Sequence, residues 1–155
     1  MYSDLIVTAF RHKDGARRVL DSMEMMRARD LLEIEITALV TRPDNAEGKF
    51  RQTLEAPVGS QGDSKKIMDR LIDLIFGGTG SLEQAQKVLG GTGFDLAFAT
   101  ELLTAMQDYN SALCVLVRSD STGDARHVLD ILAQFDGKIH HTTLSIQAEA
   151  ALLRS

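Results

Sequence analysis

Cysteine occurs once in the chain, tryptophan not at all and proline twice, and aromatic residues make up 5% of it. A single cysteine, Cys114, excludes an internal disulfide and fits a reducing compartment. It lies inside the apolar run Leu113 to Val117, so it reads as a buried, inert thiol. Basic runs are missing as well. Acids and bases are interspersed, the formal net charge is −5, and no basic patch carries interleaved aromatics, which argues against a nucleic-acid partner. No apolar run reaches the ~18 residues of a membrane-spanning helix. The opening Met1-Tyr2-Ser3-Asp4 lacks the positive region and long apolar core of a secretory signal, so a cytoplasmic location is expected.

What is present suits one domain over residues 1–155, long enough to bury about two-thirds of its unfolded surface without a staple. One pattern occurs twice. Residues 5–23 and 113–132 each run from an apolar segment through a polar loop into an amphipathic segment that opens Ala-Arg-x-Val-Leu-Asp. Ala16, Arg17, Val19, Leu20 and Asp21 recur as Ala125, Arg126, Val128, Leu129 and Asp130. With one residue allowed as a change in loop length, Leu5 and Val7 align with Leu113 and Val115. The reading is a strand–loop–helix unit used twice.

Residues 4–10 form a near-continuous apolar run, as a central buried strand does. Asp14 is placed to cap the helix after it, whose stripe is Ala16, Val19, Leu20, Met23 and Met26. Residues 33–40 alternate with period two. Turn chemistry at Arg42-Pro-Asp-Asn45 and Gly48 then returns the chain through a polar edge strand over 49–54. Helical patterns occupy 65–76, 82–89 and 96–106, separated by Gly77-Gly-Thr-Gly80 and Gly90-Gly-Thr-Gly93, with Ser81 or Thr92 as candidate caps. The second unit supplies a strand over 113–117 and a helix over 123–134, with Ser121 and Asp124 resembling a capping box. A last strand over 138–144 precedes a short helix capped by Ser145. The expected class is α+β: a ferredoxin-like, duplicated βαβ sandwich with halves 1–55 and 111–155, a helical insertion over 64–107, and both repeat helices on one face of the sheet.

Three segments resemble a known bacterial family. Tyr2-Ser-Asp-Leu-Ile-Val-Thr-Ala-Phe10, Ser111-Ala-Leu-Cys-Val-Leu-Val-Arg118 and Gly137-Lys-Ile-His-His-Thr-Thr-Leu-Ser145 with its short helix look like the domain-of-unknown-function 1269 family. The resemblance spans roughly 2–55 and 94–154. It implies no established activity and no site residues. Members of that family carry a Gly-rich membrane hairpin in the middle. Here Lys65, Lys66, Asp69, Arg70, Asp73, Glu83, Gln84 and Lys87 interrupt every candidate span. Each charge at a bilayer centre would cost about 2.5–3.5 kcal/mol, so the resemblance points to a soluble variant.

Chemistry is sparse. The Gly-Gly-Thr-Gly segments lack the spacing and the Lys-Ser/Thr of a phosphate loop and read as helix stops. His140 and His141 are neighbours on a strand, hence on opposite faces, and no cysteine–histidine or acidic spacing supports a metal site. Glu33 and Glu35 share one strand face and read as an exposed acidic edge. The repeat loops place polar groups where a strand ends and a helix begins, a position suited to a small anion. The candidates are Arg11, His12 and Asp14 in the first, Arg118, Asp120 and Ser121 in the second, and His127 on the helix beyond. Capping and solvation account for the same residues. No acid–base–nucleophile set and no cofactor motif is present, which weighs against an enzyme.

Three functions stay open. One is a non-enzymatic, self-associating assembly or small-ligand-sensing module, in which a second subunit, or the insertion itself, covers the face of the sheet opposite the repeat helices. Another is a protein that docks on a partner, such as a membrane protein, through helices 65–89. The third is an enzyme of unidentified reaction.

Overall fold

A computed structural model describes residues 2–28, 36–41, 51–55, 63–77, 80–119 and 123–155. Its elements follow the expected order. They are β1 (Tyr2–Phe10), α1 (Gly15–Ala28), β2 (Ile36–Thr41), β3 (Arg51–Glu55), α2 (Asp63–Phe76), α3 (Ser81–Leu89) and α4 (Leu96–Ala105). After a 3-10 turn at Met106–Asp108 come β4 (Ser111–Ser119), α5 (Gly123–Leu132), β5 (Lys138–Leu144) and α6 (Ile146–Arg154). Glu33, Glu35 and the turn around Pro43 lie outside the described residues.

The strands form one antiparallel sheet in the order β3-β2-β4-β1-β5. β4, from the second half of the chain, lies between β1 and β2 of the first, so neither half closes its sheet alone. β3 is an edge strand, as its polar sequence suggested. The central strands carry continuous apolar runs, over 5–7 and 112–117, because both faces are covered. Ile6, Phe10, Leu113, Val115 and Val117 join α1 and α5 on one side. Leu5, Val7, Ala9, Ala112, Cys114 and Leu116 join α2, α3, α4 and α6 on the other.

The repeat therefore aligns differently from the reading above. Leu5 and Val7 face α2, whereas Leu113 and Val115 face α1 and α5. Ungapped pairing of the two stretches matches the faces instead: Leu5 with Cys114, Ile6 with Val115 and Ala16 with Ala125. No loop-length change is needed. A strand buried on both sides carries no alternation, so its phase could not be read from the sequence alone.

The helices of the insertion are core, not appendage. Ile67, Met68, Leu71, Ile72, Leu74 and Ile75 of α2 are at most 5% exposed and lie in the larger apolar cluster. Each buried side chain contributes about 1.5–3 kcal/mol. Losing a few would rival the entire net stability of a domain, about 5–15 kcal/mol. Excising residues 64–91 would thus remove packing that the sheet needs.

Several caps also differ. The first-turn amide of Ala16 donates to Ser111 Oγ (3.2 Å), while the Asp14 carboxylate accepts from Arg18 (2.9 Å). Asp95 caps α4, accepting from the Ala97 amide at 3.1 Å. Thr92 instead closes the end of α3, its hydroxyl donating to the Leu89 carbonyl. The residue before α3 is Gly80, with positive φ and no side-chain cap. Ser145 caps α6 as expected, accepting from the Ala148 amide at 3.1 Å, and its hydroxyl donates to the Thr92 carbonyl at 2.8 Å.

Gly137 enters β5 against the sheet. A Cβ there would stand 2.3 Å from Thr8 Cγ2 and 2.6 Å from Phe10 Cε1, both on buried residues. Gly137→Ala is expected to lower stability by about 1–3 kcal/mol through overpacking. The measurement is the urea midpoint, which should fall with the m-value unchanged. An unaltered midpoint would show that Phe10 yields freely.

Candidate functional site

The antiparallel register separates the two repeat loops. Phe10 pairs with Ser111 and Tyr2 with Ser119, so the loops stand at opposite ends of a nine-residue strand pair, roughly 27 Å apart at about 3.4 Å per residue. The first loop is closed by local contacts. Asn110 Nδ2 donates to the Arg11 carbonyl (2.7 Å), and the Ser111 hydroxyl donates to the His12 carbonyl (2.6 Å). The Arg11 guanidinium lies 6.0 Å from the centre of the Tyr109 ring, and Asp14 is paired with Arg18. His12 is exposed. In the second loop Asp120 and Ser121 lie outside the described residues. Arg118 is placed on β4 opposite Ser3. His127 is on an exposed position of α5.

The structure draws attention to a different constellation. On β1, Asp4 is 5% exposed, a carboxylate buried at the end of a central strand. Its Oδ1 lies 2.8 Å from Nε2 of His141 on β5, a side chain about one-third exposed. With Asp4 ionised, Nε2–H donates to it, which fixes the ring. The pair opens onto a groove of about 400 Å³ between α5 and the β1–β5 edge of the sheet. Thr143 lines it from β5, and Ala125, Arg126, Leu129 and Asp130 line it from α5. That volume suits a small molecule.

This groove interrupts the repeat. The ungapped pairing that matches Ile6 with Val115 puts Leu113 in the place of Asp4. Leu113 pairs across the sheet with Leu39 and is wholly buried, as Asp4 pairs with Thr143. The same architectural position is thus filled by leucines in one half and by a carboxylate and a threonine in the other. The other half builds the matching strand pair without a carboxylate at that position. A partly buried carboxylate–histidine pair is commonly no more stabilising than apolar groups of similar volume, so packing alone does not explain it.

Of these residues, sequence reasoning had singled out His141 only as half of a doublet, and Arg126 only as a recurring position. Asp4 was absorbed into the apolar run that follows it. The available signal was a charged residue in register with the inward positions of a strand. The expected split of the doublet holds: His141 lies opposite Ile6 on the α5 side, and His140 opposite Val7 on the other.

His140 is half-buried and its Nε2 has no hydrogen-bond partner among the described residues. Burial, and then Lys138, hold its pKa below the usual 6.5, with Glu101 pulling the other way. Burial also pushes the Cys114 thiol up to about 12, which makes it a poor nucleophile. No group of three or more potential metal ligands occurs among the described residues. No described helix is long and apolar enough to cross a membrane. A second hollow of about 330 Å³ between α3 and α4 carries Glu83, Gln86 and Thr100 beside Leu82 and Leu96, with no basic side chain among these. Compared with protein-family models, curated proteins and solved structures, the chain matches none.

Two outcomes follow from this geometry. The double variant Asp4→Leu, His141→Thr copies the other half of the sheet, where Leu113 and Thr37 occupy the matching positions. Its unfolding free energy is expected to lie within about 1 kcal/mol of the parent or above it. A loss of several kcal/mol would show that the polar pair serves the fold. For His140 the unfolded chain takes up a proton first as the pH falls. The stability it contributes is present above about pH 6.5 and is lost as the pH drops through the lower folded value. Urea midpoints followed across that window should therefore fall less steeply in His140→Gln than in the parent.

Proposed function

We propose that the protein is a non-enzymatic small-ligand-binding module. Its plan is ferredoxin-like and duplicated, with the helical insertion covering the second face of the sheet, and it works in the cytoplasm. The strand order supports that plan: β2-β4-β1-β5 is the arrangement of two interleaved strand–helix–strand units, with β3 added at one edge. The resemblance of both ends to the domain-of-unknown-function 1269 family is part of the same reading.

The observation that carries the ligand-binding reading is the buried Asp4, held to His141 at the mouth of a groove that the other half of the sheet fills with leucine. The alternatives have lost their physical motive. Self-association was expected from an open sheet face, and α2 with α6 and their neighbours covers that face within the chain. Docking through helices 65–89 was expected from their apolar stripes, and Ile67 to Leu89 place those stripes in the core. An enzyme reading would need a nucleophile primed by His141, and the Thr143 hydroxyl beside it in the groove makes no hydrogen bond to it among the described residues.

Native mass spectrometry of protein purified without a stripping step tests the reading. A retained small mass is expected on the parent and should be absent from Asp4→Leu, His141→Thr. The same mass on both proteins, or none on either together with no binding in solution, would overturn it.

A further inference from the structure

The side chains around the groove point to a class of ligand. Arg126 and Asp130 are both exposed on α5, one helical turn apart. Neither has an ion-pair partner among the described residues, and they do not pair with each other. Arginine before aspartate is the weaker order for such a pair on a helix. The groove therefore presents an uncommitted guanidinium and an uncommitted carboxylate side by side, with the Asp4–His141 pair across from them.

A simple anion drawn to Arg126 would meet the carboxylates of Asp4 and Asp130. A simple cation drawn to those carboxylates would meet the guanidinium. A molecule that carries both signs satisfies both. Ala125 and Leu129 add apolar surface on the same side of α5, which suits a short methylene spacer. We propose that the groove binds a small zwitterion, with its carboxylate on Arg126 and its ammonium group against Asp130 and Asp4. This rests on the reading of the groove as a ligand seat.

The test is a titration of the full chain with glycine, β-alanine and γ-aminobutyrate, with acetate and methylammonium as single-charge probes. Binding is followed by the NMR shifts of the residue 125–130 amides and the His141 ring protons. At least one amino acid is expected to bind about tenfold more tightly than either single-charge probe. Arg126→Gln and Asp130→Asn should each weaken it by about tenfold, the loss of a hydrogen bond to a charged group. Both side chains are exposed, so neither change threatens the fold.

Three results would count against the proposal. Acetate binding as tightly as the amino acids, unaffected by Asp130→Asn, would keep the groove as a ligand seat and overturn the zwitterion. A retained native mass that belongs to a neutral or singly charged molecule, with no amino-acid response, would do the same. No response to any probe and no retained mass would overturn the seat itself.

Discussion

The structure depends on the pairing of β1 with β4. These are the central strands, they pair along their full length from Tyr2↔Ser119 to Phe10↔Ser111, and both are buried on both faces. The pairing interleaves the two halves of the chain, because β4 enters between β1 and β2. It positions Asn110 and Ser111 to close the first loop and to satisfy the α1 N-terminus. It also sends the two repeat loops to opposite ends of the sheet. The interleaving of the halves, the α1 cap and the separation of the two repeat loops all follow from that one ladder.

Much of this was legible in the chain. β5 matches its expected bounds at Lys138–Leu144, and α2, α3 and α4 lie within a residue or two of theirs. These segments announce themselves because helical stripes and period-two alternation are local signals. What was not legible is what depends on phase and on distant partners. Residues 113–117 are apolar at every position, so nothing local says which of Leu113 and Cys114 matches Leu5. The α1 cap came from Ser111, far along the chain, and Asp14 turned to Arg18 instead. A cap supplied across the fold leaves no mark in the helix that receives it.

The candidate site was missed for a related reason. Asp4 stands beside Leu5, Ile6 and Val7 and looks like the polar start of a strand. Its burial is a consequence of α5 passing over that end of β1, and its partner is 137 residues away. The repeat, once correctly phased, supplies the missing contrast. Leu113 shows what the fold uses at that position when it needs only packing. An internal copy serves here as a control for its twin: where buried positions agree, as at Ala16 and Ala125, the residue is structural, and where they diverge from leucine to aspartate, packing no longer explains the choice.

Covering the sheet on both sides also decides where chemistry can occur. With α1 and α5 on one face and α2, α3, α4 and α6 on the other, the central strands are closed to solvent. Only an edge leaves sheet side chains within reach of a ligand. At one edge β2 is shielded by β3, and Leu39, 4% exposed, packs with α1 and α5. At the other, β5 has no strand outside it among the described residues, and the α5 helix overhangs it. A strand edge invites unwanted pairing, and polar or charged residues are the usual protection. That need alone would account for an exposed Lys138 or Thr143 on β5. It does not account for a carboxylate on the next strand inward, buried against His141 and hidden from any pairing chain. Edge protection explains the outer members of the groove and leaves Asp4, held to His141 beside α5, outside its account.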